Sequence, residues 1–288
     1  MLKNIFYILF LSVLFSCETR SYNHITYLNK VNEIDSIYRI KNDSLTALKK
    51  YKKLFKKYLP HNSPLIEEYQ TYIIISDKYN KDFGGKESLY KLIPLIAPNW
   101  KYNRMDDKYF ALYKKYGIDS LEVEKKVDDW KKTLNKKLVD SFSVASFRDQ
   151  EKHRSDAVLR RKNDEKNELL LLWTFNNYGY PSLQKIGLWG NNNTFMPMIS
   201  ILNHAADSKR YEYFKEKILE YVKRGDCPPD DYAGMVDKYS MINKTDCIYC
   251  TFSNVPIVDS AKTDKNRKKI GMPSLKHAKK IHDDYFKE

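Results

Sequence analysis

The chain reads as a mainly α protein: helical hairpins in its N-terminal part, then an α-helical C-terminal domain with at most a short strand element. Apolar residues recur at three- and four-residue spacing along most of its 288 residues, which places them on one face of a helix. Cap residues, glycines and prolines punctuate that pattern at helix-length intervals. The alternation of strands and helices that marks a parallel sheet is absent.

Residues 1–16 read as a leader. Lys3 supplies a positive n-region, and residues 5–15 are an apolar run too short for a membrane-spanning helix, which needs ~20 residues. The run ends at Leu14-Phe15-Ser16-Cys17, which resembles a bacterial lipobox, where cleavage precedes a cysteine carrying a diacylglycerol. Cys17 is the lipidation site this implies, and the address is the cell envelope, tethered to a membrane through the N-terminal lipid. Glu18-Thr19-Arg20-Ser21-Tyr22 lacks the acidic run that resembles a surface-export signal in lipoproteins of the Bacteroidota, the group the composition suggests. A periplasm-facing protein is therefore expected.

Residues 17–141 read as helical hairpins. Tyr27, Val31, Ile34, Ile37 and Tyr38, then Leu45, Leu48, Tyr51, Leu54 and Phe55, recur at helical spacing, with Asn42-Asp43-Ser44 opening the second helix and Pro60 ending the run. Helices are expected over 65–81, 86–96, 106–116 and 120–139, with Gly84-Gly85, Pro98 and Gly117 as stops. Residues 141–147 read as the boundary to a domain over 142–288. There, 149–178 reads as one long helix whose 169–173 stretch is apolar on every side, hence buried. Helices over 194–206 (Pro197 in its first turn), 208–224 and 229–242 follow. Residues 243–263 read as loop with a short strand at 248–252, and 264–286 as a basic helical tail broken at Gly271-Met272-Pro273.

The net charge is +14. A polyanionic partner would give this, and so would a low-GC genome, because Lys, Asn, Tyr and Ile are all enriched. Basic and acidic blocks alternate, and no arginine patch with interleaved aromatics appears, so no nucleic-acid partner is expected. An anionic membrane surface suits the charge better. Beyond Cys17 the cysteines are Cys227, Cys247 and Cys250. The C-x-x-C spacing of the last two lacks both the βαβ context of a redox motif and a second ligand pair for a metal. A structural bridge from Cys227 to one of them, or free thiols, is the expectation; no metal or cofactor is expected.

On a continuous helix Gln150, Arg154, Arg161 and Asp164 share a stripe. Such a stripe holds a polar ligand or forms a solvated ion-pair ladder. His204 ends an apolar helix, where a histidine commonly serves as a structural cation. Asp237, mid-helix beside Lys238, reads by default as a surface charge.

Taken in order, however, these residues resemble a bacterial family of unknown function, domain of unknown function 6624. Asp149-Gln150 with Arg154 resembles its D-Q-x-x-x-R island, and Asp164 with Asn167 its D-x-x-N. Gly179-Tyr180-Pro181-Ser182 is similar to its G-W-P turn, followed by Gly187. Asn203-His204-Ala205 resembles Q-H-A, and Asp237-Lys238 stands for D-R. Residues 248–252 stand for L-Y-G-T-Q, keeping Tyr249 and Thr251, and Arg267 with Gly271-Met272-Pro273 resembles R-x-x-x-G-L-P. The match spans about residues 148–280. It implies a helical domain with one polar cluster of Gln150, Arg154, Asp164, His204, Asp237 and Tyr249, but no reaction. Where the family has glutamines this chain has Cys247 and Phe252.

Two functions fit. One is a non-enzymatic envelope module that binds a peptide, glycan or partner protein, for which tyrosine-rich surfaces are suited. The alternative is a periplasmic hydrolase with His204 as general base oriented by Asp237. The common hydrolase and nucleotide motifs are missing, which favours binding.

Overall fold

The computed structural model describes residues 23–103 and 107–285; Cys17 and the leader lie outside the described residues. The helices are α1 (His24–Arg39), α2 (Ser44–Lys57), α3 (Glu68–Lys78), α4 (Gly85–Ile96), α5 (Trp100–Asn103), α6 (Asp107–Lys115), α7 (Ser120–Lys132), α8 (Lys136–Asp149), α9 (Ala157–Asn177), α10 (Leu183–Ile186), α11 (Met198–Ala205), α12 (Tyr211–Arg224), α13 (Pro229–Ile242), α14 (Ser260–Lys269) and α15 (Leu275–Tyr285). The fold is mainly α. Among the described residues there is no strand, and the β pairing is an isolated bridge between Trp189 and Phe195. The short strand expected at 248–252 does not form, because its backbone amides turn onto a buried carboxylate.

Side-chain caps decide where helices begin. Asp43, Asp119, Asn135, Asp156 and Asp259 each accept hydrogen bonds from the first-turn amides of the helix they precede. Two of them overturn sequence expectations. Asn135 restarts the chain as α8, so 120–139 is two helices. Asp156, with Lys152 and Arg154 at positive φ, splits 149–178 into the end of α8, a 3-10 turn over Glu151–Arg154, and α9. Within 169–173 only Leu171 is fully buried, and Leu169 is exposed; α9 packs on one side alone. Pro197 caps α11 instead of sitting in its first turn.

Two apolar cores result. α1–α4, α6 and α7 close around Tyr27, Val31, Tyr51, Ile73, Leu89 and Val127. α8, α9 and α11–α13 close around Phe142, Leu171, Leu202, Phe214 and Met235. The core changes between Trp130 and Leu138. The expected boundary at 141–147 lies instead inside the continuous α8. The tail also crosses over: Ile281 of α15 belongs to the first core.

Helix α1 is where the two halves lock. Asp35, fully buried, takes His277 Nε2 at 2.8 Å and Arg39 Nε at 3.0 Å. Asn29 and Asn32 donate to the carbonyls of Lys268 and Gly271. Gly271 has φ +84°, and a Cβ there would stand 2.8 Å from Leu28; one on Gly225 would meet the His24 ring at 2.9 Å. A side chain at either position would push α1 away. A cavity of about 290 Å³, bordered by His24, Asn32, His61, Cys227 and Asp230, lies along this seam. No candidate site residue lines it.

Pro228-Pro229 opens α13, and the following acids sit in its first turn. Tyr180, from the Gly179-Tyr180-Pro181 turn, donates to Asp231 Oδ2 at 2.5 Å. Burial pushes the Asp231 carboxyl up to about 7, against the Tyr180 bond and with help from Asp230. The folded value exceeds the unfolded one, so this group's stabilisation is full below the ordinary carboxylate range and is lost as pH rises through 7. Asp231→Asn should therefore gain stability relative to wild type between pH ~5 and ~8, by roughly 2–4 kcal/mol. Paired urea melts at the two pH values check this; a difference that stays constant contradicts it. His24, lowered to about 4 by burial and then by His61, titrates in the opposite sense, so the variant comparison is needed to isolate Asp231.

Candidate functional site

The last turn of α8 carries Asp149, whose carboxylate is nearly sealed. Helical spacing puts it on the buried face with Phe142, Ala145 and Ser146, while Phe147 points outward. The chain then folds back on the 3-10 turn, and this brings Arg154 over Asp149. Arg154 Nη1 donates to Asp149 Oδ1 and to the Asp149 carbonyl, each at 2.9 Å. Its Nη2 donates to both oxygens of Asp164 on α9, at 3.0 and 2.9 Å. Gln150 Nε2 takes the other Asp149 oxygen at 2.6 Å.

Helix α9 holds this turn in place. Arg148 donates twice to Asn167 Oδ1, at 3.0 and 2.7 Å, and burial pulls its pKa down. Asn167 returns a bond to the Ala145 carbonyl, and Asn163 donates to the Arg148 carbonyl and to Glu151. The Arg148 and Asp149 carbonyls, which a helix C-terminus leaves without helical partners, are thus satisfied by side chains. The D-x-x-N island works as this brace.

His204 arrives from the last turn of α11, with Nε2 3.5 Å from Asp149 Oδ1. That is ion-pair range but long for a hydrogen bond. Burial pushes the His204 pKa down more than Asp149 raises it, and Arg154 lowers it further. The imidazole is neutral at pH 7 as a result.

A cleft opens beside this network. One wall is α8 and the 3-10 turn, with Ser146, Phe147, Asp149 and Gln150; the other is 194–201, with Phe195 and Ser200. Ser146 is only 7% exposed and its Oγ has no hydrogen-bond partner among the described residues.

Of the six residues expected in one cluster, Gln150, Arg154, Asp164 and His204 come together; among the described residues no hydrogen bond or ion pair joins Asp237 or Tyr249 to them. Arg154 reaches Asp164 by the fold-back, not by sharing a helical stripe, and Gln150 joins the cluster through Asp149. Asp237 is no surface charge: it is fully buried. Its Oδ1 accepts from the amides of Ile248 and Tyr249, both at 2.9 Å. Its Oδ2 accepts from the Thr251 amide at 2.8 Å and the Thr251 hydroxyl at 2.9 Å. Among the described residues no hydrogen bond or ion pair joins it to His204. Tyr249 is buried against Tyr232, its phenol pushed up by burial, and its carbonyl accepts from buried Arg267, which also holds the Pro273 carbonyl. The closing islands are therefore a structural knot. Cys247 and Cys250 are disulfide-bonded to each other and Cys227 is a buried free thiol, so the bridge expected from Cys227 is not made. The two cysteines close the same short turn that Asp237 pins.

Sequence reasoning missed Asp149 as the hub, along with Ser146, Phe147 and Phe195. Asp149 was visible in the D-Q-x-x-x-R island; nothing in the spacing marks the others. Among the described residues no group of three or more His, Cys, Asp or Glu could hold a metal ion, and no helix is long and apolar enough to cross a membrane. Comparison of the chain with protein-family models, curated proteins and solved structures finds no match.

Proposed function

We propose that this is a lipid-anchored, periplasm-facing envelope protein, related to domain of unknown function 6624, whose C-terminal helices bind a ligand in the cleft between α8 and α11. One observation carries the binding reading. Both terminal nitrogens of Arg154 are held by Asp149 and Asp164, so the network holds the cleft's shape, while an unpartnered hydroxyl at Ser146 and the exposed rings of Phe147 and Phe195 border the cleft itself. Concave sites with a few placed polar groups and apolar flanks are the usual form of a ligand pocket. The anchor rests on Lys3, the apolar run and Cys17.

A second reading is favoured by the neutral His204 beside buried Asp149: a hydrolase in which Asp149, in place of the expected Asp237, orients the base. Native mass spectrometry of the mature chain with an envelope extract separates the two. A ligand retained with unchanged mass, and lost from a Phe147→Ala/Phe195→Ala variant, supports binding. Release of two fragments whose masses sum to that of the ligand plus one water supports hydrolysis. Retention unaffected by the variant contradicts the cleft as the site.

The anchor has its own test. Cys17→Ala should abolish fatty-acid labelling and move the protein from the membrane to the soluble fraction. Labelling that persists, or wild-type protein that fractionates as soluble, rejects it. Degradation by protease added to intact cells would reject the periplasmic orientation.

A further inference from the structure

We infer that the cleft between α8 and 194–201 takes a neutral saccharide; this rests on the binding reading above. The inference begins with the rings. Phe147 is 73% exposed and Phe195 48% exposed, one on each wall of the cleft. Two exposed rings on opposite walls of one cleft give it the apolar flanks usual in a ligand pocket. Phe195 is held in place by Trp189, whose ring centroid lies 5.0 Å away, and by the bridge that pairs the two residues.

The second part is charge. Every formally charged group at the cleft already has a partner. Asp149 is held by Arg154, Glu151 accepts from Asn163, and Lys152 Nζ lies 3.7 Å from Asp156. Arg154 has both terminal nitrogens committed. An anionic ligand would meet the carboxylates of Asp149 and Glu151 and could take Arg154 only by stranding buried Asp149, which leaves exposed Lys152, already shared with Asp156, as the one cation lining the cleft among the described residues. A neutral ligand breaks none of these pairs.

The third part is the polar complement. Ser146 Oγ is buried without a partner, Ser200 adds a hydroxyl, and exposed Gln150 lines the cleft with an amide oxygen that its bond to Asp149 does not use. Hydroxyl and carboxamide groups both donate and accept, which matches ligand hydroxyls that do the same. A pyranose has an apolar C–H face for a phenyl ring and hydroxyls around its edge. An extended peptide fits less well: among the described residues no strand offers an edge for it to extend.

The test uses saturation-transfer NMR on the mature full chain with three neutral probes, cellotriose, maltotriose and tri-N-acetylchitotriose, and a neutral tripeptide as comparison. Transfer to at least one sugar is expected. Phe147→Ala and Phe195→Ala, surface changes that leave the fold intact by circular dichroism, should each weaken that sugar on the order of tenfold. Ser146→Ala should weaken it less. No transfer to any sugar, or transfer that both phenylalanine variants leave unchanged, overturns the inference. If the tripeptide alone binds and is lost in the phenylalanine variants, the saccharide class is wrong while the binding reading stands. If neither probe type shows variant-sensitive transfer, both fall.

Discussion

Asp237→Ala should lower the free energy of unfolding by about 3–5 kcal/mol, the largest loss expected from a single residue outside the apolar cores. The carboxylate is fully buried and its two oxygens accept four hydrogen bonds, three of them from backbone amides. Truncation leaves those amides, one buried and two part-buried, without their acceptor, and each buried group so stranded costs about 1–3 kcal/mol. The losses overlap, because the 248–251 turn can open together, so the sum is smaller than three separate penalties. Two further variants bracket the effect. Asp237→Asn keeps an acceptor for Ile248 and Tyr249 but turns an amide N–H toward Thr251, which should give an intermediate loss. Thr251→Val removes one hydroxyl bond and should cost about 1 kcal/mol. Urea denaturation followed by circular dichroism reads all three. A loss under about 1 kcal/mol for Asp237→Ala would mean the turn is held mainly by the Cys247–Cys250 bridge and Arg267.

The same residue shows what a sequence can and cannot convey. A mid-helix Asp beside Lys238 has the local signature of a solvated charge, and only tertiary structure supplies the loop that surrounds it. The helices themselves were legible because periodicity is local: Tyr27, Val31, Ile34, Leu48, Tyr51 and Leu54 are all buried as their spacing requires. The breaks were legible only in part. Asn135 and Asp156 are good N-cap residue types, but each sits in a run whose apolar spacing continues across it, and periodicity concealed the cap. The contact between Arg154 and Asp164 was expected for a geometric reason that does not hold. On a helix they would face the same side; in the fold the 3-10 turn reverses the chain and lets one guanidinium grip carboxylates from two elements. Cysteine pairing was illegible for a simpler reason, since spacing limits which bridges are possible without choosing among them.

Arg154→Ala should cost about 3 kcal/mol at neutral pH, and the cost should shrink as the solution is acidified. The first part follows from burial. Asp149 keeps only 2% of its side chain exposed and would retain Gln150 and a neutral His204 as partners, neither of which carries the compensating charge. Asp164, 27% exposed, can be rehydrated, so Asp164→Asn should cost no more than about 1 kcal/mol. Backbone strain is separable: Arg154 has φ +60°, which alanine shares and glycine relieves, so Arg154→Gly should be more stable than Arg154→Ala by up to about 1 kcal/mol. The pH dependence comes from His204. Burial lowers its pKa, Asp149 raises it, and Arg154 lowers it again. Without the guanidinium the imidazole's pKa moves up, and once protonated it can neutralise Asp149 itself. A raised folded-state pKa gives stabilisation that is present at low pH and lost as pH rises. The deficit of Arg154→Ala relative to wild type should therefore be largest above pH ~7 and smaller near pH ~5.5. NMR titration of the His204 ring in both proteins tests the cause directly. A deficit independent of pH, with the His204 titration unmoved, would show that Asp149 and His204 are not electrostatically linked, and would remove the basis for assigning that pair any role as a general base.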